Sequence, residues 1–321
     1  MKRLSACTLA LCAALSHQLQ AQRSELRLEK GWRFTRQDQA SFSTPDYNDS
    51  KWSRVTVPHD WAIYGPFSFE NDKQHLAIAQ DGQKEAMEHA GRTGGLPFVG
   101  AGWYRRSLDI PQDLGDRRVF LRFDGAMSHA RVYVNGKEVG YWPYGYNTFA
   151  FDVTPYVRPG ASNTLAVRLE NKHESSRWYP GAGLYRNVHL TITSPTYIPL
   201  WGTRIQTPSV SADQAYVSVE TKVAGLSHLA GRPLRIETKI LSPEGKVVAE
   251  RSESFSSKGA DSIYRTGFDI SAPKLWDINQ PNLYKYAVTL SDGSRVIDRD
   301  TTTFGIRSIE LKAGEGFFLN G

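Results

Sequence analysis

The chain has 321 residues, a formal net charge of +6 and an aromatic content of 12%. Its basic and acidic residues are interspersed, and no basic run of the kind that follows a phosphate backbone is present, which argues against nucleic-acid binding. No segment after residue 21 is apolar enough to span a bilayer, so membrane insertion is not expected.

The first 21 residues have the layout of a secretory signal peptide. Lys2 and Arg3 form a positive region, residues 4–15 form an apolar run, and Ala21 offers a small residue before the cut. A buried N-terminal helix is the alternative, but it gives no reason for this order of features. We therefore predict a signal peptide over residues 1–21 and a periplasmic or secreted protein.

Both cysteines, Cys7 and Cys12, lie inside this leader. The mature chain would then have no disulfide and no thiolate metal site, and we predict neither a metal nor a cofactor. The remaining length is sufficient for two ordinary domains that are stabilised by core burial alone.

Strand patterns dominate the first half of the mature chain. Asn135-Gly136 separates two extended runs and is the strongest short hairpin signal, because that turn needs positive φ angles. Residues 164–169 and 187–192 alternate between apolar and polar side chains, as half-buried strands do. Only residues 72–89 predict a helix, with Asp72 as its N-cap.

The pattern changes after a boundary near residues 194–200. Strands of six to eight residues are separated by turns at residues 242–245 and 292–293, which is typical of an immunoglobulin-like sandwich. Tyr284, Tyr286, Val288 and Leu290 fall on one face of such a strand. Asn320-Gly321 is a hairpin turn after a strand at residues 316–319, and we expect that the chain was cut there.

No motif in the chain assigns catalysis. Nucleophile elbow, phosphate loop, zinc helix and dinucleotide fingerprint are all missing from the sequence. Glycoside hydrolysis needs two carboxyl groups about 5 to 9 Å apart, and sequence alone cannot place two of the 33 acids together.

Three segments instead point to binding: residues 57–67, 92–106 and 177–186. All three combine aromatic side chains with glycine, which lets the backbone approach a neighbour. Residues 92–106 and 177–186 also carry arginine, whose guanidinium offers five donors. The aromatic residues of these segments could be sugar-stacking platforms or sandwich core. The residues alone favour the core for Trp103, Tyr104, Trp178 and Tyr185.

These segments resemble the sugar-binding domain of glycoside hydrolase family 2, the β-galactosidase and β-glucuronidase group. The second half resembles the immunoglobulin-like domain of the same family and the hairpin that leads into its catalytic barrel. The resemblance rests on the segments above and on Phe123-Asp124-Gly125-Ala126-Met127, Val132-Tyr133-Val134-Asn135-Gly136, Tyr144-Gly145-Tyr146, Leu275-Trp276, Pro281-Asn282-Leu283-Tyr284, Thr303-Phe304-Gly305-Ile306-Arg307 and Phe317-Phe318-Leu319-Asn320-Gly321.

The resemblance implies an all-β fold with two modules. They are a jelly-roll (galactose-binding-like) sandwich over residues 22–197 and an immunoglobulin-like sandwich over residues 198–305. Residues 306–321 would begin a truncated (β/α)8 barrel. The implied activity is that of a retaining exo-glycosidase on terminal β-linked sugars, with β-galactoside preferred, and its Glu pair would lie beyond Gly321. The expected partners are thus carbohydrate and the missing barrel, and the fragment alone is predicted to be inactive.

In some relatives, loops of the first domain reach the active site. The resemblance implies that the substrate-binding residues of this chain are Phe98, Gly100, Arg177, Trp178 and Tyr179. Arg177 stands where some relatives have a cation-binding Asp, which argues against a metal at that spot. His59 and Asp60 are predicted to be structural.

Two alternatives to the hydrolase fragment remain. A non-catalytic carbohydrate-binding protein would bind sugar without hydrolysis, and a purely structural adhesion sandwich would leave residues 177–186 unexplained. The hydrolase hypothesis also predicts an exposed apolar patch where the barrel would dock.

Overall fold

The computed structural model describes residues 23–68, 70–71, 74–75, 84, 88–89, 98–172 and 178–321. They form two units, one of residues 24–192 and one of residues 193–321 together with Arg23. Antiparallel strands dominate both units, and the helical segments within these ranges are three short 3-10 turns, Ala40–Ser43, Thr154–Tyr156 and Ser227–Leu229. The predicted all-β class is confirmed. The predicted signal peptide lies outside the described residues.

The first unit is a sandwich of two antiparallel sheets and a small extra strand pair. One sheet has the order β1-β12-β7-β10 and the other the order β3-β2-β6-β11-β8-β9. The chain changes sheet at most connections from β6 onward, as expected for a jelly roll. The strands are β1 Ser24–Arg27, β2 Trp32–Thr35, β3 Ser53–Val55, β4 Gln74–His75, β5 Glu88–His89, β6 Gly100–Asp109, β7 Arg118–Phe123, β8 Ala130–Val134, β9 Lys137–Trp142, β10 Phe149–Asp152, β11 Ser162–Asn171 and β12 Val188–Thr193.

The core of the first unit lies between these two sheets. In β7 every second side chain is buried, which places Val119, Leu121 and Phe123 on the inner face. Leu165 and Val167 of β11 meet them from the other sheet. Alternation along each strand therefore gives the sheet one apolar face, and burial of the two faces against each other holds the sandwich together.

The hairpin predicted at Asn135-Gly136 is present between β8 and β9. Val134 pairs with Lys137, and Asn135 and Gly136 have φ angles of 52° and 81°. These positive angles match the right-handed twist of the flanking strands, which is why the turn forms.

The helix predicted over residues 72–89 is wrong at both of its ends. Gln74–His75 and Glu88–His89 form an antiparallel pair, with Gln74 opposite His89. Most of the intervening residues lie outside the described ones. Apolar spacing compatible with a helix cannot reveal pairing between distant residues, and that pairing decided the local structure here.

The second unit contains seven sandwich strands and a separate hairpin. Its sheets have the orders β13-β14-β17 and β16-β15-β18-β19, as expected for an immunoglobulin-like sandwich. The hairpin joins β20 and β21. The strands are β13 Thr203–Val210, β14 Gln214–Val223, β15 Pro233–Leu241, β16 Val247–Ser256, β17 Ser262–Ser271, β18 Tyr284–Asp292, β19 Arg295–Phe304, β20 Ile309–Lys312 and β21 Gly316–Leu319.

The core of the second unit confirms the face predicted for β18. Tyr284, Tyr286, Val288 and Leu290 are all buried. The hydroxyls of Tyr286 and Thr221 lie 2.9 Å apart, so the buried phenol has a hydrogen-bond partner inside the sandwich.

The β20-β21 hairpin exposes an apolar face. Ile309 pairs with Leu319 and Leu311 pairs with Phe317, so these four side chains lie on one side of the hairpin. Ile309, Leu311 and Phe317 are exposed. Isolated exposed apolar residues are ordinary, but a cross-strand set of this kind marks a surface that another element could cover.

Candidate functional site

Loops at one end of the first sandwich meet around Gly183. The His59 N–H donates to the Leu184 carbonyl at 2.8 Å, and the Met127 and Gly183 backbones exchange hydrogen bonds of 3.0 and 2.9 Å. The Trp61 N–H donates to the Ala182 carbonyl at 3.3 Å. We call residues 57–66, 98–100, 125–129, 143–147 and 178–186 the loop cluster. Two of the three segments singled out in the sequence, residues 57–67 and 177–186, are thus held together by backbone hydrogen bonds.

An aromatic wall lies beneath the loop cluster. The Phe34 ring is 5.6 Å from the Trp61 ring and 4.8 Å from the Tyr104 ring, and His59 packs edge-on against Phe34. Trp103 and Tyr104 are buried, so the core interpretation of these two residues is correct. The buried indole nitrogen of Trp61 has no hydrogen-bond partner among the described residues, which leaves a donor at this wall unsatisfied there.

His59 and Tyr104 share a polar contact inside this wall. The His59 Nδ1 lies 2.7 Å from the Tyr104 hydroxyl. Burial lowers the pKa of His59, against the opposing effect of Asp60, and burial raises the pKa of the Tyr104 phenol. Both side chains are therefore neutral near pH 7 and serve to hold the wall together.

Tyr179 is tied to Asp60. Its hydroxyl donates to the Asp60 carboxylate at 2.6 Å, and the same oxygen accepts from the Ala62 N–H at 3.0 Å. Burial, and then the hydrogen bond to Asp60, raise the pKa of the Tyr179 phenol. Asp60 is committed to these two donors, and its geometry is that of a positioning residue for Tyr179.

Phe98 and Gly100 lie beside an open cavity. The Phe98 ring is half-buried with the Arg36 guanidinium 5.2 Å from its centroid, and Arg36 also donates to the Gly65 carbonyl. Gly100 begins β6 opposite Asn171. The cavity measures about 660 Å³, and its lining includes Phe98, Trp61, Arg36, His59 and Lys51. Among the described residues that line it there are two cations, Arg36 and Lys51, and no acid.

Trp178 is exposed, contrary to the core interpretation favoured by the residues alone. Its side chain is 61% exposed, and its indole N–H donates to the Tyr146 hydroxyl at 2.9 Å. The ring of Tyr144, which is 56% exposed, lies 5.6 Å from that of Tyr146. We call Tyr144, Tyr146 and Trp178 the aromatic platform. Arg177, the remaining predicted binding residue, lies outside the described residues.

No catalytic carboxylate pair lines any of the four cavities described in this part of the chain. Among the cavities described, two acids meet only in the shallow one on β15 and β16, lined by Glu237 and Glu250. Each is paired with a cation, Glu237 with Arg235 at 2.7 Å and Glu250 with Lys239 at 3.6 Å. This arrangement belongs to an exposed sheet face with cross-strand ion pairs.

No group of three or more His, Cys, Asp or Glu side chains that could hold a metal ion occurs within the described ranges. Nor does any helix there have the length and apolarity needed to cross a membrane. The loop cluster presents flat aromatic faces, phenol hydroxyls and guanidinium groups on loops that backbone hydrogen bonds fix. These groups are suited to binding a ligand.

Sequence reasoning missed two relations in the loop cluster. It treated Asp60 as structural without finding its bond to Tyr179, 119 residues away. It identified Tyr144-Gly145-Tyr146 as a family motif but did not predict that this turn contacts Trp178. The only sequence signal for the second relation was the density of aromatics beside Pro and Gly, which is typical of an exposed turn.

Comparisons with known proteins follow the same division of the chain. The model of "Glycosyl hydrolases family 2, sugar binding domain" matches residues 26–195, and that of "Glycosyl hydrolases family 2" matches residues 197–307. A β-galactosidase of Bacteroides ovatus is 34% identical over 315 residues, which are 98% of this chain and 35% of that protein. A β-glucuronidase of Bacteroides fragilis is 31% identical over 318 residues, 94% of this chain and 40% of its own length.

A solved structure from the same family is also similar to this chain. The glycosyl hydrolase family 2 member from Bacteroides cellulosilyticus is 31% identical, with a TM-score of 0.79 over 92% of this chain and 38% of that one. The chain spans about a third of the length of the curated relatives it matches.

Proposed function

The chain belongs to glycosyl hydrolases family 2, and from this premise we propose that it is the sugar-binding, N-terminal part of a glycosidase acting on terminal β-linked sugars. The observation that carries the proposal is the order of the two matched domains, with aromatic and cationic side chains gathered on the loops of the first. In this proposal the two sandwiches support and shape a sugar site, while the reacting carboxylates lie on a barrel that follows Gly321.

The chemistry of the parent enzyme is proposed from the family resemblance. One Glu would act as acid and base and a second as nucleophile in a retaining mechanism. This chain would contribute loops: Trp178 as a stacking face, Tyr179 as a phenol oxygen that is fixed by its hydrogen bond to Asp60 and can accept from a sugar hydroxyl, and Phe98 at the edge of the cavity. Two further observations support a covering domain, namely the exposed apolar side chains Ile309, Leu311 and Phe317 on the last hairpin and the share of the relatives that this chain spans.

We propose a β-galactoside as the substrate, the sugar that the family resemblance favours. One relative at 34% identity is named a β-galactosidase and another at 34% identity a putative β-glucuronidase. A β-glucuronide is the second candidate, and a specific observation favours it. Arg36 and Lys51 line the cavity beside Phe98, and none of its other lining residues in the described part of the chain is an acid, an arrangement suited to a sugar carboxylate. Another relative is named a β-glucuronidase.

Export to the periplasm or the medium is also a proposal. It rests on the positive region, apolar run and small residue in the first 21 residues. N-terminal sequencing of the exported protein tests it, and we expect the sequence to begin at Gln22. Recovery of the intact N-terminus from the cytoplasmic fraction would contradict it.

The activity test compares this chain with the product of the complete reading frame. We expect the longer product to cleave nitrophenyl β-galactoside, with nitrophenyl β-glucuronide assayed in parallel to decide the substrate. The 321-residue chain should cleave neither. Turnover by the chain alone would overturn the placement of the reacting acids, whereas a reading frame that stops without a barrel would favour the non-catalytic carbohydrate-binding alternative.

A further inference from the structure

The aromatic platform carries two exposed rings, Trp178 and Tyr144, and each of them contacts Tyr146. Trp178 and Tyr144 flank Tyr146, which receives the Trp178 indole N–H at 2.9 Å and packs edge-on against Tyr144. Because the Tyr146 oxygen accepts from Trp178, its own hydroxyl proton is directed elsewhere. The platform thus combines two flat apolar faces with a phenol donor between them.

The loop that carries the platform is held from several sides. A β-carbon at Gly145 would lie 2.5 Å from the Met127 side chain, so the loop packs directly on that residue. The Tyr185 hydroxyl donates to the Gly145 carbonyl at 2.9 Å, and the Arg186 guanidinium donates to the Tyr146 carbonyl at 3.0 Å. These contacts fix the exposed rings before any ligand arrives, which reduces the entropy lost on binding.

The loop is also anchored at its two ends. The His129 N–H donates to the Pro143 carbonyl at 3.1 Å, and the Trp142 indole N–H donates to Asn147 at 2.9 Å. An aromatic surface this exposed costs solvation energy, since apolar area stays in water. Its retention on a braced loop marks it as an interaction surface.

We propose that the aromatic platform binds an oligosaccharide of at least two sugar units, one stacked on Trp178 and the next on Tyr144. A pyranose presents a face of C–H groups to an aromatic ring while its hydroxyls stay at the edge, where the Tyr146 phenol can donate to them. The inference rests on the proposed function and deepens it, because it extends the bound ligand beyond a single terminal sugar.

Carbohydrate is favoured over a protein partner by the composition of the platform. Its exposed members are Tyr and Trp, which have polar tips, and the neighbouring Met127 is buried. Their rings can stack on the C–H face of a sugar while the phenol and indole tips stay in contact with water and sugar hydroxyls. The platform also lies wholly within residues 26–195, the range matched by the sugar-binding domain.

The test measures binding to the 321-residue chain by calorimetry. The probes are galactose, glucuronic acid and β-linked oligosaccharides of two to four units that end in either sugar. We expect affinity to rise at least tenfold from one unit to two. Trp178→Ala and Tyr144→Ala should each weaken binding of the longer probes about tenfold, whereas Tyr144→Phe keeps the ring and should bind like the parent chain.

Trp201→Ala is the matched control, because Trp201 is 69% exposed and belongs to the second unit. It should leave sugar affinity unchanged, and circular dichroism should show all variants folded. Absence of binding to every probe, equal affinity for one and two units, or unchanged affinity in both alanine variants would overturn the inference. A variant that alters only the oligomeric state on size exclusion would assign the platform to protein contacts and would also overturn it.

Failure of this inference is distinguishable from failure of the proposed function. Hydrolysis of nitrophenyl glycosides by the product of the complete reading frame, with no effect of the platform variants on oligosaccharide binding, would overturn the platform alone. Oligosaccharide binding without any hydrolysis would support the platform and overturn the glycosidase.

Discussion

Gly183 is the residue that allows the loops of the first unit to approach one another closely. Its φ is +97°, and a β-carbon there would lie 2.3 Å from the Tyr104 hydroxyl and 2.7 Å from the His59 carbonyl oxygen. Only glycine satisfies both the backbone angle and the close approach. The site therefore depends on a residue that carries no functional group.

Gly183→Ala should destabilise the chain more than an ordinary glycine substitution. Gly31→Ala is the matched control, because Gly31 also has a positive φ of 84° but its β-carbon would meet no atom within 4 Å. We expect Gly31→Ala to lower the free energy of unfolding by about 1 to 2 kcal/mol, because only backbone strain acts there. Gly183→Ala should lower the free energy of unfolding further, because Tyr104 and His59 must move as well. Urea unfolding measures both, and equal losses would contradict the packing described here.

Arg105 connects strand β6 to the neighbouring segment of residues 40–52. Its side chain is 3% exposed, and the guanidinium donates to the Asp49 carboxylate at 3.0 Å and to the carbonyls of Thr44 and Tyr47 at 2.9 and 3.4 Å. Residues 40–52 are thereby fastened over the outer face of the six-stranded sheet, where Phe42 covers Trp103.

Arg105→Ala should lower the free energy of unfolding by about 3 to 5 kcal/mol, because several carbonyls and a carboxylate lose their only buried cation. Arg131→Ala is the control. Arg131 pairs with Glu138 at 2.9 Å, but both side chains are exposed, so its loss should cost less than about 1 kcal/mol. Chemical denaturation of both variants is the measurement, and similar losses would show that the anchoring role of Arg105 is wrong.

The response of the whole molecule to pH follows from its partly buried histidines. Burial lowers the pKa of His59 and of His129 below the ordinary histidine value of about 6.5. His59 is faced by Phe34, Tyr104 and Asp60. His129 is faced by Tyr141 and by the charges of Lys172, Glu170 and Arg168. The folded state thus binds fewer protons than the unfolded state just below pH 6.5.

The sign of the effect is fixed by this proton difference. Stability contributed by the neutral histidines is fully present above pH 6.5 and is lost as the pH falls through their folded pKa values. We expect the thermal midpoint to drop between pH 7 and pH 5. His59→Gln should flatten that drop, whereas the exposed control His228→Gln should not. An identical pH profile in His59→Gln and the parent chain would exclude His59 as a source.

Local information was sufficient for much of the fold. Asn135-Gly136 needs two positive φ angles whatever surrounds it, and the alternation through Tyr284, Tyr286, Val288 and Leu290 defines one buried face by strand geometry alone. The family itself was recognisable from ordered motifs. The helix predicted over residues 72–89 failed because pairing between Gln74 and His89 is not a local property.

The candidate site depended on contacts between residues far apart in the chain. Trp103 and Trp178 carry the same side chain beside similar neighbours, yet one is buried beneath residues 40–52 and the other stands exposed on the platform. Composition cannot separate them, because burial depends on what the fold brings above each ring. Local patterns therefore sufficed for most strands, the turns and the family, but not for the Gln74–His75 and Glu88–His89 pair. Which aromatic rings face water, and which partners hold them, depends on the tertiary contacts that the fold makes.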